Sequence, residues 1–113
     1  MKILVIDDEP FVTRALKRTL FRDDVVTCAS GLEGLATFVR ERPDAVLCDL
    51  YMPGMDGFEV LRRIKRLSPA TPCFILTGDT NVIPDSPHVD GVVEKPWNPS
   101  LRGRLENGSS SGS

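Results

Sequence analysis

Short runs that are apolar at every position constrain this chain more than anything else in it. Ile3-Leu4-Val5-Ile6, Ala45-Val46-Leu47-Cys48 and Cys73-Phe74-Ile75-Leu76 contain no polar side chain. A strand built from such a run cannot turn either face to water, which is the mark of a sheet covered on both sides. Between these runs the spacing of apolar residues becomes helical, and strands that alternate with helices make a parallel sheet in an α/β domain. The chain of 113 residues is long enough for one such core and too short for two.

Strands are expected over 2–6, 25–29, 44–49, 73–77 and 91–93. The second is the most polar and is expected near an edge, and the fifth is kept short by Pro96. A first helix is expected over 10–22, with Pro10 in its first turn and Phe11, Ala15, Leu16 and Leu20 as its apolar stripe. Ser30-Gly31-Leu32-Glu33 has the form of a capping box, and Leu32, Leu35, Ala36 and Val39 then repeat at helical spacing as far as Arg40. Asp56 and Glu59 open a third helix, marked by Phe58, Leu61 and Ile64 and ended by Pro69. Asn98-Pro99 opens a last helix carrying Leu101 and Leu105.

The residues from 78 to 90 break the alternation. They include Pro84 and Pro87 and almost no apolar period, and an interior proline costs a helix roughly 3 kcal/mol. A loop or a single turn is expected there in place of a helix. The domain is expected to span 1–106, and 107–113, rich in Gly and Ser, reads as a flexible linker, an appended sequence or a tether.

Composition excludes several functions. A net charge of -2 and a pI near 5.3 give no electrostatic footprint for nucleic acid. Arg62, Arg63, Lys65 and Arg66 bunch on a helix whose apolar face is separate, as a solvated face would. No apolar run approaches the roughly 20 residues of a membrane helix, and Lys2 ahead of a short apolar run does not make a signal peptide. A cytoplasmic protein is expected. Cys28, Cys48 and Cys73 lie far apart in strand-like runs and read as small buried hydrophobes, and His88 reads as a loop residue.

The polar residues that carry chemistry lie just beyond strands. Asp7-Asp8 follow the first, Asp49 ends the third, Thr77 ends the fourth and Lys95 follows the fifth. In an open parallel sheet these points share the edge where ligands bind. Clustered carboxylates repel by about 4 kcal/mol per pair at 4 Å and an effective dielectric of 20. Such a group needs a proton, a cationic side chain or a metal ion, and a hard divalent ion suits oxygen donors. A carboxylate beside such an ion can accept a phosphoryl group. That transfer needs mainly positioning and charge neutralisation, which Lys95 and the Thr77 hydroxyl can supplement. Singly, these features are ordinary: Asp7-Asp8 serve as helix caps elsewhere, Lys95-Pro96 as a surface turn and Thr77 as a strand terminus.

Taken in order, with Met52-Pro53-Gly54-Met55-Asp56-Gly57 after Asp49, they resemble the receiver domain of two-component response regulators over residues 2–105. The resemblance implies a flavodoxin-like, doubly wound, five-stranded sheet in the order 2-1-3-4-5, the order of the family's chemotaxis members. It implies Asp49 as phosphoacceptor, Asp7, Asp8 and Asp49 as Mg²⁺ ligands with the Tyr51 backbone carbonyl, Thr77 as the phosphate-sensing hydroxyl, and Lys95 as the phosphate-binding lysine before a cis Pro96. It also implies a sensor histidine kinase or histidine phosphotransfer protein as donor, an output partner, and a homodimer as one form of output. Tyr51 and Asp79 stand where the family modulates water access to the aspartyl phosphate, although both also read as exposed loop residues.

Two departures stand out. The aromatic residue usual three positions before the lysine is replaced by Val92, which is stiff and short. The helix between the fourth and fifth strands is degenerate, so order and disorder of 78–90 is a candidate substitute switch. A phosphorylation-independent interaction module with the same fold is the alternative these departures leave open. A haloacid-dehalogenase-type phosphohydrolase would need its nucleophile on the first strand and a second Asp two residues on, which Asp7-Asp8-Glu9 lacks. A nucleotide-binding domain would need a Gly-rich loop after that strand.

Overall fold

The computed structural model describes residues 1–79, 81–82 and 87–108. Five parallel strands, β1 (Lys2–Ile6), β2 (Asp24–Cys28), β3 (Ala45–Asp49), β4 (Cys73–Thr77) and β5 (Gly91–Glu94), stand in the order β2-β1-β3-β4-β5. Four helices, α1 (Pro10–Thr19), α2 (Gly31–Glu41), α3 (Gly57–Leu67) and α4 (Leu101–Asn107), complete the described elements. This is the expected doubly wound fold.

The all-apolar strands follow from two cores. Leu4, Ile6, Val46, Cys48, Cys73 and Ile75 face one side with Phe38, Val60, Leu61 and Ile64 of α2 and α3. Ile3, Val5, Ala45, Leu47, Phe74 and Leu76 face the other with Val12, Leu16, Leu101 and Leu105 of α1 and α4. Successive side chains of a strand alternate between faces, so each of these runs serves both cores. The three cysteines are buried free thiols, and burial pushes the Cys73 thiol up to about 12.

Several local expectations are corrected. In α2 the buried face is Gly31, Gly34, Thr37 and Phe38, while Leu32 and Val39 are 71% and 52% exposed. The helix packs too closely for large side chains on that face: a Cβ on Gly34 would lie 2.4 Å from Ile6 Cδ1, and one on Gly31 2.8 Å from Val60 Cγ2. In α1, Phe11 is 62% exposed and Val12 takes the buried position. That helix also stops at Thr19, three residues early. There the Thr19 hydroxyl donates to Ala15 O and accepts from Trp97 Nε1, and the chain turns through Asp23 N–H to Leu20 O.

The basic cluster of α3 is only partly a solvated face. Arg62 and Arg63 pair with Glu59, but Lys65 is largely buried and lies 2.7 Å from Asp90. The same Asp90 carboxylate accepts from Cys73 N–H at 2.7 Å, so α3 is tied to the approach to β5.

Ser30 and Asp56 cap α2 and α3 through the N–H groups of Glu33 and Glu59, as expected. Among the described residues no helix lies between β4 and β5; Thr80 and residues 83–86 of the proposed switch segment lie outside them. The last helix begins at Leu101, two residues beyond Pro99, because Asn98 spends its side chain on Ser100 N–H and Oγ. Asn107 closes α4 and Gly108 caps it in the left-handed region at φ 67°; residues 109–113 lie outside the described residues.

The close α2 packing has a measurable consequence. Gly34→Ala should destabilise the domain by about 1–3 kcal/mol through overpacking against Ile6, despite alanine's better helix propensity. Gly103→Ala, whose Cβ would meet nothing within 4 Å, should stabilise it by up to about 1 kcal/mol. Urea unfolding of both variants checks the pair, and equal effects would contradict the packing argument.

Candidate functional site

The C-terminal ends of β1, β3, β4 and β5 converge on one edge. Asp7 continues β1, its N–H donating to Cys28 O at 3.0 Å. Its Oδ1 accepts from Glu9 N–H at 2.9 Å, which turns Oδ2 into the interior, buried and without a hydrogen bond of good geometry. Asp49 is the last residue of β3 and only 5% exposed. The start of α3 is pressed against it: a Cβ on Gly57 would lie 2.5 Å from the Asp49 carbonyl oxygen.

Lys95 follows β5, its N–H donating to Thr77 O at 2.9 Å, and the Lys95–Pro96 peptide bond is cis. The Lys95 ammonium lies 3.0 Å from Asp7 Oδ2, 3.2 Å from Asp49 Oδ1 and 3.7 Å from Glu9 Oε1. Carboxylate oxygens of Asp7, Asp8, Glu9 and Asp49 all come within 4.8 Å of one another. Asp8 is exposed.

Electrostatics follow from that crowding. Burial and then the Asp7 charge raise the Asp49 carboxyl above the ordinary carboxylate range, against the pull of Lys95. Burial works against the charge on Lys95, but the Asp7 and Asp49 carboxylates overcome it and hold the ammonium above its usual range. One lysine facing four carboxylates leaves an excess of negative charge. That excess charge and the all-oxygen donor set fit a hard divalent ion.

Thr77 is buried at the end of β4, its Oγ1 accepting from Asp79 N–H at 3.1 Å. Tyr51, exposed on the loop after β3, donates from its hydroxyl to Asp79 Oδ2 at 3.2 Å. The two residues read singly from the sequence are therefore joined across the loops that flank Asp49. Val92 is half-buried against the α2–α3 core, and its carbonyl accepts from Arg104 Nη2 at 2.9 Å. Pro96 is exposed beside Trp97.

Asp7, Asp8, Asp49, Thr77 and Lys95 thus lie at this edge with Tyr51 and Asp79 on the flanking loops, whereas Val92 lies within β5. Glu9 was missed, although it directly follows the acid pair; its place before Pro10 reads as a helix start. The Tyr51–Asp79 bond joins loops 28 positions apart, and no local pattern announces it.

A family model described as the response regulator receiver domain matches residues 3–101. The chain belongs to this family. Among solved structures the receiver is similar to the response regulator TrrA of Thermotoga maritima in complex with Mg²⁺-BeF, with a TM-score of 0.86, 29% identity and 95% and 97% of the two chains covered. It is also similar to the chemotaxis protein CheY4 of Vibrio cholerae, with a TM-score of 0.85, 30% identity and 94% and 96% covered. Among curated proteins, it is 33% identical to sporulation initiation phosphotransferase F of Bacillus subtilis over 96 residues, which cover 81% of this chain and 77% of that protein. It is 42% identical to the transcriptional regulatory protein AfsQ1 of Streptomyces coelicolor over 77 residues. The receiver spans only about a third of AfsQ1 and of the Mycobacterium tuberculosis regulator TrcR. It is therefore a receiver domain of two-component signal transduction. Among the described residues no helix is long and apolar enough to cross a membrane.

A raised carboxyl makes the site costly to fold at neutral pH. The folded state holds the Asp49 proton more tightly than the unfolded chain, so the destabilisation is fully present above the raised pKa. It fades as pH falls through that value and is gone below the unfolded carboxylate range. In metal-free buffer Asp49→Asn should melt a few degrees higher than wild type at pH 7, and the gap should close towards pH 4. A gap that widened on acidification would reverse the sign of this argument.

Proposed function

We propose that this receiver accepts a phosphoryl group on Asp49 from a sensor histidine kinase or a histidine phosphotransfer protein, and that the change at the site is passed to an output partner. The observation supporting it is the placement of a buried Asp49 carboxylate at the end of β3, within 3.2 Å of Lys95 Nζ and in one cluster with the carboxylates of Asp7 and Asp8. In the transfer, an Asp49 oxygen bonds to phosphorus as the bond from phosphorus to the donor imidazole nitrogen breaks, and the histidine leaves. Lys95 neutralises one phosphoryl oxygen and the Thr77 hydroxyl donates to another. Asp7, Asp8, Asp49 and the Tyr51 carbonyl would hold Mg²⁺, which supplies neutralisation of phosphoryl charge when bound.

On this reading the domain catalyses its own phosphorylation and hydrolysis and no reaction on a separate substrate. A cytoplasmic location accords with donors of this kind. A phosphorylation-independent role would leave the retained acid cluster and Lys95 without a purpose.

Intact mass after incubation with Mg²⁺ and a small phosphodonor tests the chemistry. One added phosphoryl group is expected for wild type, and none for Asp49→Asn or in chelator. A gain retained by Asp49→Asn would move the acceptor elsewhere and overturn the assignment.

The Tyr51–Asp79 bond predicts how fast water reaches the phosphoryl group. With that bond spanning the flanking loops, Tyr51→Phe should shorten the lifetime of the phosphorylated form severalfold. Once Asp79→Asn has removed the acceptor charge, Tyr51→Phe should add little. Lifetimes from phosphoprotein decay in a double-mutant cycle check this; fully additive effects would mean that the two residues act separately.

A further inference from the structure

Glu9 is the one acid of the cluster to which the chemistry above gives no task. Its backbone is fully engaged, the N–H with Asp7 Oδ1 and the carbonyl with the N–H groups of Val12 and Thr13 at the start of α1. Its side chain makes no capping hydrogen bond, as expected of a glutamate, which is not a favoured N-cap residue. Instead its carboxylate, 46% exposed, reaches towards Lys95, with Oε1 3.7 Å from Nζ.

Lys95 meanwhile sits between Asp7 Oδ2 at 3.0 Å and Asp49 Oδ1 at 3.2 Å. Those are the carboxylates a divalent ion needs, and Asp7 Oδ2, on a residue only 2% exposed, is aimed into the cluster with the Lys95 ammonium as its partner. An ammonium cannot keep that place beside a doubly charged ion, because like charges a few ångström apart repel strongly. Its flexible four-carbon stem allows a short swing, and Glu9 is the further carboxylate already within 4.0 Å.

We propose that Glu9 is a second seat for the Lys95 ammonium, a positioning residue that takes it up when Asp7 and Asp49 turn to Mg²⁺. The inference rests on the reading that the cluster holds Mg²⁺. Glu9 lets the lysine yield the metal position without leaving the site, so that it stays within reach of an incoming phosphoryl oxygen. Glu9 acts on metal affinity through Lys95, and a carboxylate acting as a plain charge would not depend on that lysine.

Isothermal titration with MgCl₂ at fixed ionic strength separates these cases in wild type, Glu9→Gln, Glu9→Asp, Lys95→Met and the double variant Glu9→Gln/Lys95→Met. Glu9→Gln should weaken Mg²⁺ binding by roughly fivefold, about 1 kcal/mol. Glu9→Asp, which keeps the charge but shortens the reach, should weaken it comparably. Lys95→Met should tighten binding by removing the competing cation, and in that background Glu9→Gln should change the dissociation constant by less than about twofold. Glu9→Gln at wild-type affinity, an undiminished loss in the Lys95→Met background, or wild-type behaviour of Glu9→Asp would each overturn the second seat while leaving the Mg²⁺ reading intact. Wild-type protein that takes up no Mg²⁺ would bring down that reading, and this inference with it.

Discussion

The Lys95 ammonium, set among the carboxylates of Asp7, Glu9 and Asp49, is the interaction on which the rest of the edge depends. Without a cation, two buried acids on adjacent strands would strain the fold that brings them together. The parallel sheet makes the arrangement possible by aligning every strand's carboxyl end, so that residues 42 positions apart can share one positive charge. The close approach of α3 to Asp49 at Gly57 and the inward turn of Asp7 by the Glu9 N–H both serve to hold those acids in place.

The strands and the site were legible because they rest on local rules. A short run such as Ala45-Val46-Leu47-Cys48, bounded by turn residues, reads as a doubly covered strand, and in a parallel sheet residues just past such runs share an edge. Ser30 and Asp56 announced helix starts through capping chemistry. The failures share a different cause, which is dependence on a partner distant in sequence. Nothing near Gly34 says that Ile6 will press against it, so the repeat of Leu32 and Val39 looked like a buried face. Lys65 looked solvated because Asp90, its partner, lies in a segment without a pattern. Glu9 and the Tyr51–Asp79 bond belong to the same class.

Membership of the receiver family and the local departures from it fit together. The family match runs over residues 3–101, and the solved relatives superpose on nearly the whole chain. On the side of the sheet far from β2, Val92 packs against the α2–α3 core. Its carbonyl is engaged by Arg104 of α4. The indole of Trp97 ties the residues after Lys95 to Thr19 at the end of α1. The strand-end edge around Lys95 is thus linked to α1, and the neighbouring strand β5 to α4, by side-chain hydrogen bonds.

The grip on β5 also bears on how this chain can change over generations. The outermost strand is anchored by Asp90, itself held by Lys65 and by the Cys73 N–H, and by Arg104 on the opposite helix layer. With strand position secured at those points, β5 keeps its place without a helix among the described residues that lead to it from β4. Sequence drift at exposed positions such as Asn81 and Pro87 costs the fold little, and surface loops are where new recognition is most readily selected. A lineage carrying this architecture can therefore remodel that surface while its charged edge stays unchanged.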